Sequence, residues 1–162
     1  MRLTATALTV LLTVGLAAPT ASAAEPAITP DWRTRMLSYV NALRADAGVP
    51  PVRMCSNLRT SAQRYARSMA LTGAVAHQGP DGSTSSERIA AAGYRADVSG
   101  ETLAGGQGTV VQVMRAWRAS PTHYAAITDP RLRHVGFGHA TSDNTRYGEY
   151  WVQHFGAGGS CA

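Results

Sequence analysis

The C-terminal third of this chain changes its hydrophobic period, and that change restricts the fold more than any other feature. Residues 135–140 and 147–155 alternate with the period of two expected of strands. Ser142-Asp143-Asn144-Thr145 supplies a turn between them, so the two runs predict an antiparallel hairpin. In the second run Glu149, Trp151, Gln153 and Phe155 share one face, and Tyr150, Val152 and His154 share the other. Everything upstream follows helical spacing. Helices first and strands later point to an α+β domain, with helices packed on a small antiparallel sheet.

The upstream segments carry their own boundaries. Asp31 offers a cap, and Met36, Val40, Leu43 and Ala47 then recur at helical spacing, predicting a helix over 32–47. Gly48 ends it and Pro50-Pro51 forbids resumption. Ser56 or Asn57 caps a second helix whose stripe is Leu58, Ala62, Tyr65 and Met69, with Gly73 at its end. Gly79-Pro80-Asp81-Gly82 is a turn in which Pro presets φ, Asp bonds nearby backbone and Gly permits positive φ. Thr84 and Glu87 form a capping box for a third helix running through Ala92 to Gly93. Residues 99–108 are glycine-rich and irregular, with a short strand expected at 101–103. Thr109 and Gln112 make a second capping box before the apolar face Val110, Val113, Met114 and Trp117. Ser120 then caps, and Pro121 begins, a short helix.

The N-terminus reads as an export signal over 1–23. Arg2 gives the positive start, residues 5–18 are apolar, and Ala21-Ser22-Ala23 suits signal peptidase cleavage after Ala23. The alternative is an N-terminal core helix. With the signal removed, residues 24–35 are expected to be a linker and helix start, 36–157 one domain, and 158–162 a tail carrying Cys161. The expected mature product is a secreted, extracellular protein with no integral membrane segment. Two cysteines, Cys55 and Cys161, favour a disulfide in an exported chain, with two free thiols as the alternative. Closing a loop near 100 residues is worth roughly 4–5 kcal/mol on chain-entropy grounds. All 15 basic residues are Arg; beyond Arg2 they are spread from Arg33 to Arg146 without a run, and acids are interleaved with them. That pattern argues against nucleic-acid binding and leaves weak attraction to an anionic envelope.

Three side chains remote in sequence could share a polar cleft. His77 follows a helix exit and precedes the Gly-Pro turn, where a neutral imidazole can bind metal or shuttle a proton. It can equally be a hydrogen-bonded loop histidine. His123 is third in the helix begun by Pro121, and a helix N-terminus disfavours its protonated form. It can also be an ordinary polar helix-start residue. Glu101 follows Gly100 and could orient an imidazole, act as general base, or simply pair with an Arg. His154 and Gln153 face opposite sides of their strand, and His134 and His139 are expected at the sheet surface. Ser120 reads as a cap and not a nucleophile. The chain has no Gly-x-Ser-x-Gly elbow, His-Glu-x-x-His helix, phosphate loop or Gly-x-Gly-x-x-Gly.

Together, Asn41-x-Leu43-Arg44, Gly48-x-Pro50-Pro51, Ala76-His77, Pro80-Asp81-Gly82-Ser83, Gly100-Glu101-Thr102, the stretch from Trp117 to His123, Val135 to Gly138 and Tyr150 to Phe155 resemble the CAP superfamily. This superfamily comprises cysteine-rich secretory, antigen 5 and pathogenesis-related 1 proteins, and the bacterial SCP-like secreted branch is the nearer match. The resemblance spans about Met36 to Phe155 and implies a three-layer α-β-α sandwich with a central cleft. It carries the family histidines onto His77 and His123, and the family glutamate onto Glu101. A second family glutamate falls on Ser120, so the acidic pair is incomplete and Ser120 stands in the cleft. Gly-Glu-Asn has become Gly-Glu-Thr, and His-Arg-Ala-Asn-Ile has become His123-Tyr124-Ala125-Ala126-Ile127.

The resemblance implies an extracellular binding module for a lipid, envelope or host ligand. His77 and His123 would hold Zn2+ or another divalent metal weakly, because catalytic zinc usually has three protein ligands. The other reading is a weak metal-dependent hydrolase in which Glu101 is catalytic and activates a bound water. One carboxylate and no activated nucleophile favour binding.

Overall fold

The computed structural model describes residues 32–162. The expected export signal, most of the linker and the Asp31 cap lie outside the described residues. Elements run α1 (Trp32–Asp46), β1 (Arg53–Met54), α2 (Ser56–Thr72), α3 (Ser85–Ala91), β2 (Val98–Gly105), α4 (Val110–Ala119), α5 (Pro121–Ile127), β3 (His134–Thr141) and β4 (Glu149–Ala157).

The hairpin expected from the period change is β3–β4, with Val135 opposite Phe155 and Gly138 opposite Val152. β2 pairs antiparallel with the other edge of β4. The sheet order is β1-β3-β4-β2, and two-residue β1 joins β3 in parallel. The three long strands are therefore antiparallel as expected, whereas the sheet as a whole is mixed. β2 is also longer than the sequence suggested. Its glycines do not break it, because every residue from Val98 to Gly105 has a partner on β4.

Helices cover both faces of the sheet. On one face α2 presses directly onto β3. A Cβ on Gly136 would lie 2.0 Å from the Arg59 nitrogen, and one on Gly138 would lie 2.1 Å from the Ala62 carbonyl oxygen. Only glycine lets helix and strand backbones approach so closely. Ala62, Tyr65, Ala66 and Met69 pack there against Tyr150 and Val152. On the opposite face Met36, Val40, Val113, Trp117 and Ile127 from α1, α4 and α5 enclose Val135, Phe137, Trp151 and Phe155. The alternation read from β4 thus assigns its side chains to the two layers of an α-β-α sandwich.

Cys55 and Cys161 are joined, 106 residues apart. The bond brings the tail to the start of α2 and changes that helix's cap. Cys55 is the N-cap, not Ser56 or Asn57. The Ser56 hydroxyl bonds the Ala162 carbonyl instead, and Asn57 accepts from the Ala162 N–H at 2.8 Å while donating to the Ala92 carbonyl at 3.0 Å.

Other caps follow the sequence more closely. Gly73 closes α2 at φ 73°, its N–H bonded to the Met69 carbonyl. Thr84 and Glu87 form the complete capping box. At α4, Thr109 accepts from the Gln112 N–H, but the Gln112 side chain reaches back to the Gly108 N–H, so the reciprocal bond is displaced by one residue. Ser120 occupies the N-cap of α5 without a side-chain capping bond.

Arg44 is wholly buried. Its guanidinium donates to the carbonyls of Pro50 (2.7 Å), Ile127 (2.7 Å), Asp129 (3.1 Å) and Leu132 (3.2 Å). A cation thereby satisfies the last carbonyl of α5 and three loop carbonyls.

Candidate functional site

Glu101 sits in the middle of β2 with its side chain only 3 % exposed, and both carboxylate oxygens are engaged. Oε1 lies 2.7 Å from His77 Nδ1. Oε2 lies 2.7 Å from Arg88 Nη2 and 2.7 Å from His154 Nε2. Burial alone would raise the pKa of this carboxyl. Hydrogen bonds from His154, His77 and Arg88 outweigh it and hold the group below the usual carboxylate value.

Each partner is placed by a different element. His154 faces Glu101 because the two are paired across the β2–β4 ladder. Burial pushes His154 below the usual imidazole value despite the carboxylate beside it. The neutral ring therefore carries its proton on Nε2, toward Glu101, and accepts at Nδ1 from the Ser61 hydroxyl at 2.9 Å. Arg88 comes from α3, whose capping box fixes its start. Its guanidinium stacks on Tyr65, with Cζ 3.5 Å from the ring centroid, and donates to the Ser83 carbonyl at 2.6 Å and the His77 carbonyl at 3.0 Å. The Tyr65 hydroxyl bonds the Ala76 carbonyl and so anchors the segment carrying His77.

The His77 ring is 67 % exposed, in contrast to the carboxylate it contacts. With Nδ1 turned to Glu101, Nε2 is the nitrogen left for another partner. Both readings of His77 describe it: a hydrogen-bonded loop residue, and a ring oriented by a carboxylate. Glu101 likewise is both an ion-pair partner of an Arg and the orienting group. His123 is partly buried on α5. Burial, and then the charge of His77, lower its pKa, so it belongs to the same electrostatic neighbourhood. The Ser120 side chain makes no capping bond. Among the described residues no group of three or more His, Cys, Asp and Glu is arranged to hold a metal ion. Both Glu101 oxygens already have partners, which leaves the rings of His77 and His123 as the candidate donors.

Residues 37–155 match the Cysteine-rich secretory protein family, CAP. This chain belongs to that family. YkwD of Bacillus subtilis (strain 168) is 27 % identical over 124 residues, covering 76 % of this chain and 46 % of that protein. The chain therefore spans about half the length of that relative. Among solved structures, an outer surface protein from Borrelia burgdorferi aligns with a TM-score of 0.70 at 20 % identity, covering 83 % of this chain and 96 % of that one. An extracellular protein containing a SCP domain from Bacillus anthracis str. Ames aligns at 0.67 and 16 % identity, covering 82 % and 45 %. At these identities the solved structures speak for the CAP fold alone.

Sequence reasoning missed three residues of this CAP site. Arg88 lies inside a helix that the sequence marks only by its cap. His154 is assigned to a face of β4 by its spacing, but its partner depends on β2, whose pairing the glycines obscure. Ser61 looks like a small helix residue. Ser61, His154 and Glu101 are connected in the order of a nucleophile, base and acid. Ser61, however, is 2 % exposed inside α2, and its hydroxyl is engaged in orienting the ring. His139 departs from the sheet-surface expectation. Trp151 and Trp32 pack on its ring, at 4.1 and 5.8 Å between centroids, and it bonds Glu149. Odd positions of β3 face the α1 layer, which explains its burial. His134 accepts or donates at 2.8 Å with the Tyr94 hydroxyl.

A cavity of about 290 Å³ lies beside the site, with Ser61, Arg64, Tyr65, Asp81, Ser83 and Arg88 in its wall. Among the described residues no helix is long and apolar enough to cross a membrane.

Proposed function

We propose that this CAP-domain protein is an exported, non-enzymatic binding module, and that its cleft presents His77 and His123 to an extracellular ligand. The observation that carries this reading is that three donors already engage the two Glu101 oxygens. A carboxylate already bonded to one Arg and two His, and held below its usual pKa, is a poor proton acceptor for an attacking water. Its work is to orient His77. A groove of about 240 Å³ between α1 and α4, in which Tyr39, Leu43, Val111 and Met114 lie beside Asp46, Arg115 and Arg118, supports an amphipathic envelope component such as a lipid as ligand. Export is supported by the family and by the disulfide, which persists in oxidising compartments.

A divalent ion fits this donor set only loosely. His77 is oriented through Nδ1 by a carboxylate, the usual arrangement behind a metal-bound imidazole. His123 is biased toward its neutral, ligating form. With two rings and no third side chain, zinc would be completed by water and bound weakly and reversibly.

Zinc titration by calorimetry tests the metal part. Wild type should bind with micromolar or weaker affinity, and His77→Ala with His123→Ala should abolish the heat. Retained binding in both variants would remove these rings from the site. Peptide and ester substrate panels test the rest. Silence with and without chelator, alongside saturable binding to envelope lipids, is the expected result. Chelator-sensitive turnover lost in Glu101→Gln would replace this reading with a metal-dependent hydrolase. N-terminal sequencing of the mature product should begin at Ala24.

A further inference from the structure

The arginines that form no run in the sequence gather in space on α2. This helix contains no acidic residue. Arg59, Gln63 and Arg67 recur one turn apart, and Thr60 and Arg64 lie along the same side. Arg33, from the first turn of α1, makes the opposite wall. Together these six residues line a groove of about 260 Å³.

The groove is rigid where Arg33 meets it. Arg33 Nε donates to the Phe137 carbonyl at 3.3 Å, and Nη2 donates to Gln63 Oε1 at 2.7 Å. Gln63 in turn donates to the His139 carbonyl at 2.6 Å, and the Arg33 guanidinium lies 4.3 Å from the Trp32 ring centroid. Among the described residues, Arg59, Arg64 and Arg67 have no ion pair or side-chain hydrogen bond. Burial and the neighbouring charge of Arg59 lower the pKa of Arg33, and no carboxylate offsets either effect. Like charges are thus crowded around a concavity, and no described residue neutralises them.

We propose that this groove binds a linear phosphate-bearing polymer. Guanidinium forks match phosphate oxygens in bidentate geometry. Arg59 and Arg67 are separated by about 12 Å of helix, longer than one phosphate, so the stripe suits a chain of repeated anions. Arg64 also lines the adjacent cavity, where Asp81 and the Glu101-paired Arg88 end the run of unpaired cations. An anionic membrane is the rival surface, because Leu71 stands 86 % exposed further along the same helix. Leu71 lies outside the groove, and one apolar side chain is a weak anchor. The concave placement of the guanidiniums favours a polymer threaded between α1 and α2 over a flat bilayer.

The probe is fluorescent long-chain inorganic polyphosphate, read by anisotropy over a salt series on the full mature protein. Wild type should bind with a log–log salt slope near −2 to −3, from about −0.7 for each of up to four phosphates neutralised. Arg59→Gln, Arg64→Gln and Arg67→Gln combined should weaken binding at least about 30-fold and flatten that slope. Arg53→Gln, Arg95→Gln and Arg146→Gln remove the same charge from exposed positions outside both grooves and should leave affinity within about threefold. Unchanged circular dichroism and melting confirm folding of both triple variants. The His77→Ala, His123→Ala protein should bind polyphosphate normally, which separates this site from the cleft. Equal losses in the two triple variants would reduce the effect to net charge and overturn the groove. No polyphosphate binding, or arginine-dependent binding only to phosphatidylglycerol vesicles, would overturn the proposal as well.

Discussion

Glu101 and His154 are direct partners across the β2–β4 ladder, and their side chains meet at 2.7 Å between Oε2 and Nε2. Among the described residues the carboxylate is also the only anion bonded to Arg88, whose side chain is nearly buried. Replacing it with Gln leaves a nearly buried cation without its counter-charge and one oxygen where Arg88, His154 and His77 had two. Glu101→Gln should therefore destabilise the fold by about 3 kcal/mol, in the range found when one member of a buried pair is lost. Urea unfolding measures this directly. A cost under about 1 kcal/mol would mean that the carboxylate is not the anchor of the site.

Stability should fall in two stages as the solution is acidified. His123, His139 and His154 all have lowered pKa values, with burial the leading cause in each. Below the usual imidazole value of 6.5 the unfolded chain takes up protons that the folded rings resist. Folding is then opposed by up to about 1.4 kcal/mol per pH unit for each such ring. The second stage belongs to carboxylates whose pKa is depressed, Glu101 and Asp129 among them. Their contribution is complete above the unfolded carboxylate value and is lost as pH falls through the lower folded value. Melting temperature against pH should decline gently from about 6.5 and steeply below about 4. His154→Asn should flatten the first decline by one ring's share, whatever its effect at neutral pH. An unaltered slope in that variant would show that His154 does not titrate with unfolding.

Much of the architecture was legible because period and capping are local properties. Val113, Met114 and Trp117 had to share a helical face, and Tyr150 and Val152 had to oppose Trp151. The candidate site was legible only in part. His77 and Glu101 meet as expected, and His123 feels the charge of His77. Arg88, His154 and Ser61 complete the network through the pairing of β2 with β4 and the docking of α2. Those are long-range events that neither spacing nor propensity encodes. The basic groove was hidden for the same reason: Arg33 and Arg59 are neighbours only after α1 and α2 pack.

Gly136 tests the closest backbone approach in the fold. An added Cβ would lie 2.0 Å from the Arg59 nitrogen and 2.1 Å from the Leu58 carbonyl carbon, both backbone atoms that cannot rotate away. Gly136→Ala must push α2 off β3 and so loosen the layer that holds Ser61 and Tyr65. The expected cost is about 3 kcal/mol or more, the overpacking range at its upper end. Gly48→Ala is a useful contrast, since nothing lies within 4 Å there and the penalty is the positive φ of 70° alone. It should cost about 1–2 kcal/mol. Equal costs for the two substitutions would mean that the α2–β3 contact is not tight.

The disulfide should matter more than any single polar contact at the tail. Cys55 and Cys161 close a loop with a sequence separation of 106, for which chain entropy gives about 4–5 kcal/mol as an upper value. The bond also holds Ala162 against Ser56 and Asn57, and Cys55 itself packs with Leu58, Ile89 and Tyr94. Cys55→Ser with Cys161→Ser should therefore lower unfolding free energy by about 2–5 kcal/mol and free the first turn of α2 to exchange its amide hydrogens faster. Wild type in reductant should approach the same urea midpoint. If the double variant and the reduced protein both unfold where the oxidised protein does, the tail crosslink is dispensable and the core alone sets stability.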